Sequence, residues 1–136
     1  MATVFAPGAV WESPLLELRF ESARSLIDFQ TEGSARLDVL VQTPHSPVIS
    51  LLDAERANAT TTIHEFFRGT ASDVSAYGDT GSEINVDQYG IYYDQLAKTD
   101  GGWKFTHRLF VPFLIASDRV VGDVVSARPM LRSTSG

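Results

Sequence analysis

The chain contains no cysteine. That excludes disulfides, thiolate catalysis and cysteine-ligated zinc or iron–sulfur centres. It also has no apolar run approaching the roughly 20 residues a membrane-spanning helix needs. The opening residues, Met1-Ala2-Thr3-Val4-Phe5, lack a basic stretch followed by an apolar one, so no secretory signal is indicated and a cytoplasmic setting is expected. Positive charge is in deficit: 11 basic residues face 17 acidic ones, a net charge of −6. Such a surface repels phosphate backbones, which argues against nucleic acid as a partner. Fixed-period repeats and a strand-to-helix glycine loop for phosphate are both missing. What remains is 136 residues, one domain's worth, with 43% hydrophobic residues, enough to build a core without staples.

Hydrophobic periodicity predicts one short helix among many strands. Ala9–Glu12 and Leu15–Phe20 read as brief strands around the turn at Ser13-Pro14. Ser22 offers a helix N-cap, with Ala23, Leu26 and Ile27 forming an apolar stripe that should end before Gly33. Strand then follows almost continuously: Leu37–Gln42, a break at Pro44-His45-Ser46-Pro47, Val48–Leu52, and Arg56–Arg68. Gly69–Glu83, rich in Ser, Gly, Asp and Thr, reads as a long exposed loop of the length that functional lids have. Ile84–Lys98 and Trp103–Val111 are the clearest strands, and Phe113–Val125 is a candidate for one more. The expected fold is α+β, a long and mostly antiparallel sheet against one helix. The domain is expected to span residues 1–125, with a frayed tail over 126–136.

The last two long strands make a hairpin. Thr99-Asp100-Gly101-Gly102 supplies the turn, with Asp-Gly suited to positive φ. In a two-residue turn, Lys98 faces Trp103, Leu96 faces Phe105, Asp94 faces His107 and Tyr92 faces Leu109. All eight then share one sheet face. A one-residue change of register would bring Arg108 to Asp94 instead.

Gly90-Ile91-Tyr92-Tyr93-Asp94-Gln95-Leu96, Asp100-Gly101-Gly102-Trp103-Lys104-Phe105 and Arg108 resemble the G-x-Y-x-D-x-L … DG-x-W-x-F … R signature of SnoaL-like proteins, within the nuclear-transport-factor-2-like superfamily. Phe5–Trp11 is similar to the family's segment leading into its first strand, and Ser46-Pro47-Val48-Ile49, Ala57 and Glu65 fall where its middle strands would. The resemblance implies a strongly curved sheet wrapped around helices into a cone. It also implies a small apolar ligand inside and a homodimer through the outer sheet face. The chain lacks the family's long opening helix, and Gln42 stands nearest the position of its middle-strand histidine.

Four residues are candidates for chemistry. Asp94 beside His107 would make an acid–base pair, the carboxylate fixing the imidazole's tautomer and raising its pKa; a purely structural cross-strand pair is the alternative. Tyr92 could donate to a substrate carbonyl, or serve as a core tyrosine. His64 and Glu65, adjacent on a strand, point to opposite faces. The resemblance turns Glu65 inward, where burial would raise its pKa, or where it would pair with Arg108 or Lys98. The pocket wall is expected to include Trp11, Gln42, His64, Phe67, Trp103, Phe105 and Arg108. His45, His64 and His107 lie on separate segments without ligand spacing, so no metal is expected, and no cofactor. The expected activity is cofactor-independent proton transfer (dehydration, isomerisation or cyclisation) on a small apolar carbonyl or hydroxy compound. A non-catalytic binding or dimerisation module of the same fold is the alternative, and a structural role like that of ring-hydroxylating dioxygenase β-subunits a third.

Overall fold

The computed structural model describes residues 4–72 and 74–123. Seven strands form one curved sheet: β1 (Phe5–Ser13), β2 (Leu18–Phe20), β3 (Leu37–Pro44), β4 (Val48–Leu51), β5 (Arg56–Thr70), β6 (Glu83–Thr99) and β7 (Gly102–Ser117). The order across the sheet is β2-β1-β7-β6-β5-β3, with β4 also paired to β5. Every pairing is antiparallel except β1 with β7, which run parallel. The α+β expectation therefore holds, as an open, mixed sheet.

The one α-helix among the described residues, α1 (Ala23–Ser34), begins where Ser22 caps it, its hydroxyl accepting from the Ser25 N–H. It passes through Gly33 instead of stopping before it. The helix buries Leu26 against Trp11, Leu16, Ile63, Val74 and Phe110. A second cluster, Phe67, Ala71, Ile84 and Val86, fills the adjoining part of the concave face.

Alternation along β5 sets its buried face: Ala57, Ala59, Ile63, Glu65 and Phe67 are buried on the concave side. Between Thr70 and Glu83 the chain is less exposed than its composition suggests. Ala71 and Val74 are buried, and the Tyr77 ring packs edge-on against Phe67. Among the described residues the apolar stretch beginning at Phe113 adds no separate strand; β7 continues through Ser117 and is followed by Asp118, which has positive φ. The expected tail over 126–136 lies outside the described residues.

The hairpin holds the main correction. Lys98 pairs with Trp103 and Leu96 with Phe105, as a two-residue turn requires. The register then shifts: Gln95 pairs with His107, Asp94 with Arg108, Tyr93 with Leu109 and Tyr92 with Phe110. One extra residue in β7, a bulge beside Thr106, moves the partners of Gln95 through Gly90 by one, and a second shift between Gly90 and Tyr89 moves those beyond by one more. Asp94 and His107 are not partners.

Candidate functional site

The register of three strands lays a polar row across the concave face. Gln42 on β3 pairs with Glu65 on β5, and Glu65 with Gln88 on β6. The Gln42 amide donates to Glu65 Oε2 at 2.7 Å, and the Gln88 amide to Oε1 at 3.2 Å. Gln88 Oε1 in turn accepts from the Tyr77 hydroxyl at 3.0 Å. Both carboxylate oxygens are thus held by neutral amides, with no cation directly bound to them. Burial pushes the Glu65 carboxyl above its ordinary range; the amides of Gln42 and Gln88 pull the other way and do not overcome it.

This row forms one wall of a cavity of about 160 Å³ between sheet and helix. The other walls are largely apolar: Trp11, Leu16, Leu18, Phe29, Phe67, Val74, Ile84 and Phe110. Tyr77 and Tyr92 also line it. Burial, with the charge of Glu65 behind it, pushes the Tyr92 hydroxyl up to about 12. Burial likewise drives the Tyr77 hydroxyl well above its ordinary value. Both phenols stay neutral donors at physiological pH. A wider vestibule of about 710 Å³ adjoins the cavity, sharing Trp11, Gln30, Leu37, Leu40, Gln42 and Tyr92 with it.

Of the residues expected at the site, Glu65, Tyr92, Trp11, Gln42 and Phe67 meet at this cavity. The others do not. Asp94, only 4% exposed, is gripped by Arg108 through two hydrogen bonds, 2.8 and 3.2 Å. Burial raises its carboxyl, and the Arg108 hydrogen bonds and charge oppose that rise. The Arg108 guanidinium lies 4.0 Å over the Tyr92 ring and 4.2 Å over Phe105, a double cation–π contact. It lines the vestibule and does not reach Glu65's wall. The alternative expectation of Glu65 paired with Arg108 or Lys98 therefore fails, because the sheet register gives Glu65 two glutamines.

His107 turns to β1, where Nε2 lies 3.1 Å from Glu12 Oε1. His64 points to the convex face, stacked on Tyr89 at 4.2 Å and 2.5 Å from Asp87 Oδ1. Its neighbour Glu65 takes the inward position, so His64 is excluded from the pocket by alternation alone. Trp103 and Phe105 line a separate apolar cleft with Ile49, Leu51 and Leu96.

Sequence reading missed Gln88, Tyr77 and Gln30. Gln88 was findable, since it shares the inward period of Gly90 and Tyr92. Tyr77 carried no periodic signal. No group of three or more acidic, histidine or cysteine residues suited to a metal occurs among the described residues. No described helix is long and apolar enough to cross a membrane.

The family model for the SnoaL-like domain matches residues 1–109. The chain belongs to the SnoaL-like family. No curated protein sequence matches it significantly. Among solved structures, a type 2 hexachlorocyclohexane dehydrochlorinase (LinA) superposes with a TM-score of 0.73 at 10% identity, covering 93% of this chain and 78% of that one. The type 3 LinA of Novosphingobium barchaimii LL02 gives 0.70 at 11% identity, covering 92% and 79%. A scytalone-dehydratase-like protein of Novosphingobium aromaticivorans gives 0.64 at 19% identity, covering 93% and 78%. At these identities the likeness is one of fold, the nuclear-transport-factor-2-like cone.

Proposed function

We propose that this SnoaL-like domain is a cofactor-independent enzyme that moves protons on a small, largely apolar carbonyl or hydroxy compound held in the inner cavity, with Glu65 as acid and base. The observation that carries this reading is a buried carboxyl, its pKa raised, set in the polar row that forms one wall of a cavity whose other walls are largely apolar. A carboxylate whose pKa is raised is a stronger base than an exposed one. In a ketone substrate it would take a proton α to the carbonyl. The C–H pair moves into an enolate, whose oxygen accepts from the Tyr92 hydroxyl. The proton returns from Glu65 to a carbon or assists a leaving hydroxyl. Gln42 and Gln88 orient the carboxylate. The hexachlorocyclohexane dehydrochlorinases among the structural neighbours are named for a loss of hydrogen chloride, which supports proton abstraction from carbon as a chemistry this fold can host.

The same reading includes a homodimer in the cytoplasm. The convex face, bearing Val41, Val48, Phe66, Tyr89 and Tyr93, supports a surface for self-association, several of these residues being exposed.

A non-catalytic binding module is the second reading, favoured by one observation. Asp94 and His107, the expected acid–base pair, are committed to Arg108 and Glu12. Glu65 is left as the cavity's single carboxylate among its lining residues.

Hydrogen–deuterium exchange separates the two. Cyclohexanone in deuterated buffer, followed by proton NMR, should lose α-hydrogen signal faster with the protein than without it. Glu65→Gln should abolish the acceleration, while His64→Ala, on the convex face, should leave it intact. No acceleration, or equal acceleration by Glu65→Gln, would refute the catalytic reading.

A further inference from the structure

Arg108 is only partly engaged by its neighbours. Asp94 takes one edge of the guanidinium: Nε donates to Oδ1 and Nη2 to Oδ2. The rings of Tyr92 and Phe105 hold its plane in place. A guanidinium carries five N–H donors in a flat, fixed fork. With one edge taken, the end-on edge of Nη1 and the second hydrogen of Nη2 has no acceptor among the described residues.

That edge can be reached. The buried side-chain nitrogen and oxygen atoms without a partner are Ser13 Oγ and Gln30 Oε1 among the described residues, so Nη1, equally without one, keeps open surface. The side chain is 21% exposed. It lines the vestibule and also the apolar cleft that holds Ile49, Leu51 and Leu96. Among the described residues lining the vestibule, Arg108 is the one that carries a charge, so no carboxylate there competes for its free edge. An arginine can only donate, and a carboxylate offers two coplanar oxygens spaced for two parallel bonds to such an edge.

The sheet sets the distance from this cation to Glu65. The guanidinium lies over Tyr92, which pairs with Thr61, and Thr61 precedes Glu65 by two inward positions of β5. Those positions are roughly 13 Å apart along the strand. Inner cavity and vestibule join over that stretch, where Trp11, Gln42 and Tyr92 line both.

We propose that the substrate carries a carboxylate, held by the free edge of Arg108 in the vestibule, while its carbonyl lies in the inner cavity beside Glu65. It is then an oxo acid whose two polar groups stand several carbons apart. This rests on the proposed function, which places the carbonyl at Glu65, and deepens it by naming the second polar group. Asp94 and the two rings fix the guanidinium before the ligand arrives, so little side-chain freedom is lost on binding.

Calorimetric titrations of the full chain test this with 6-oxoheptanoate and heptan-2-one, which differ by a carboxylate for a methyl. The acid should bind about tenfold tighter or more, the worth of one hydrogen bond to a charged group. 4-Oxopentanoate, too short to span the two groups, should lose most of that advantage over pentan-2-one. Arg108→Gln combined with Asp94→Asn removes both charges and leaves no buried carboxylate unpaired. In this double variant, its fold checked by thermal melting, the acid's advantage should vanish. Equal binding of acid and ketone to the wild type, or none by either, overturns the carboxylate site whether or not the double variant folds. An advantage that survives in the folded double variant overturns the role of Arg108. The same advantage for 4-oxopentanoate overturns the span. A preferred acid without α-hydrogen exchange in it or in cyclohexanone leaves the site standing and refutes the enzymatic reading. Cyclohexanone exchange without any preference for the acid does the reverse.

Discussion

Replacing Gln88 with leucine tests the polar row at its hub. The side chain is 2% exposed, and leucine fills a similar volume, so the change removes hydrogen bonds with little repacking. Two bonds are lost: the amide donation to Glu65 Oε1 and the acceptance from the Tyr77 hydroxyl. A bond to a charged group contributes about 1.5–3 kcal/mol, and a stranded buried hydroxyl costs about 1–3 kcal/mol. Burying an apolar side chain in place of an amide returns about 1–2 kcal/mol. The net expectation is a loss of about 2–4 kcal/mol. The loss has a pH signature. Without the Gln88 donor the Glu65 carboxyl is raised further, so the penalty is smallest where Glu65 is protonated and grows as pH rises through its native value. Urea unfolding, followed by tryptophan fluorescence over a range of pH, measures both effects. A double-mutant cycle with Tyr77→Phe assigns the hydroxyl's share. A loss below about 0.5 kcal/mol, which is ordinary for a surface substitution, or a penalty that ignores pH, would refute the network as described.

Glu65→Gln should act in the opposite sense on stability. The native carboxyl is raised above its ordinary value of 4.5, so the stability it contributes is present below that value and lost as pH climbs through the native one. The glutamine variant should therefore gain on the wild type with rising pH in the same urea assay; a constant difference would count against a buried, raised carboxyl. Arg108→Met leaves Asp94 buried without its cation and should cost about 3–5 kcal/mol at neutral pH, less in acid where Asp94 is protonated. An acid-independent cost in thermal melts would argue against that charge. Gly90→Ala would place a Cβ 2.2 Å from Phe110 Cε2 and 2.6 Å from Cζ. It should cost about 1–3 kcal/mol and, by pushing the ring into the cavity, slow the cyclohexanone exchange. An unchanged exchange rate would contradict the ring's place in the wall.

Strand existence, the capped helix and the inward face of β5 were legible because each has a period or cap written over several residues. Glu65 followed from alternation together with the family resemblance. Asp94 and His107 illustrate why the rest was not. Their pairing depended on one inserted residue beside Thr106, and a bulge leaves no mark in hydrophobic alternation when the flanking residues are Phe105, His107 and Arg108. Tyr77 lies in a segment whose Ser, Gly and Asp content reads as solvent-exposed, although Val74 and Tyr77 pin it to the core. The loop's composition describes its tips, and two apolar side chains decide its packing.

The proposed chemistry turns on a claim about Glu65, that its buried carboxyl in the cavity wall has a raised pKa. NMR titration of the Glu65 side-chain carboxyl carbon, assigned by its disappearance in Glu65→Gln, tests that claim most directly. A midpoint above the ordinary glutamate value of 4.5 is predicted. A midpoint at or below that value would mean that the carboxylate is ionised as easily as one in water, contradicting the claim.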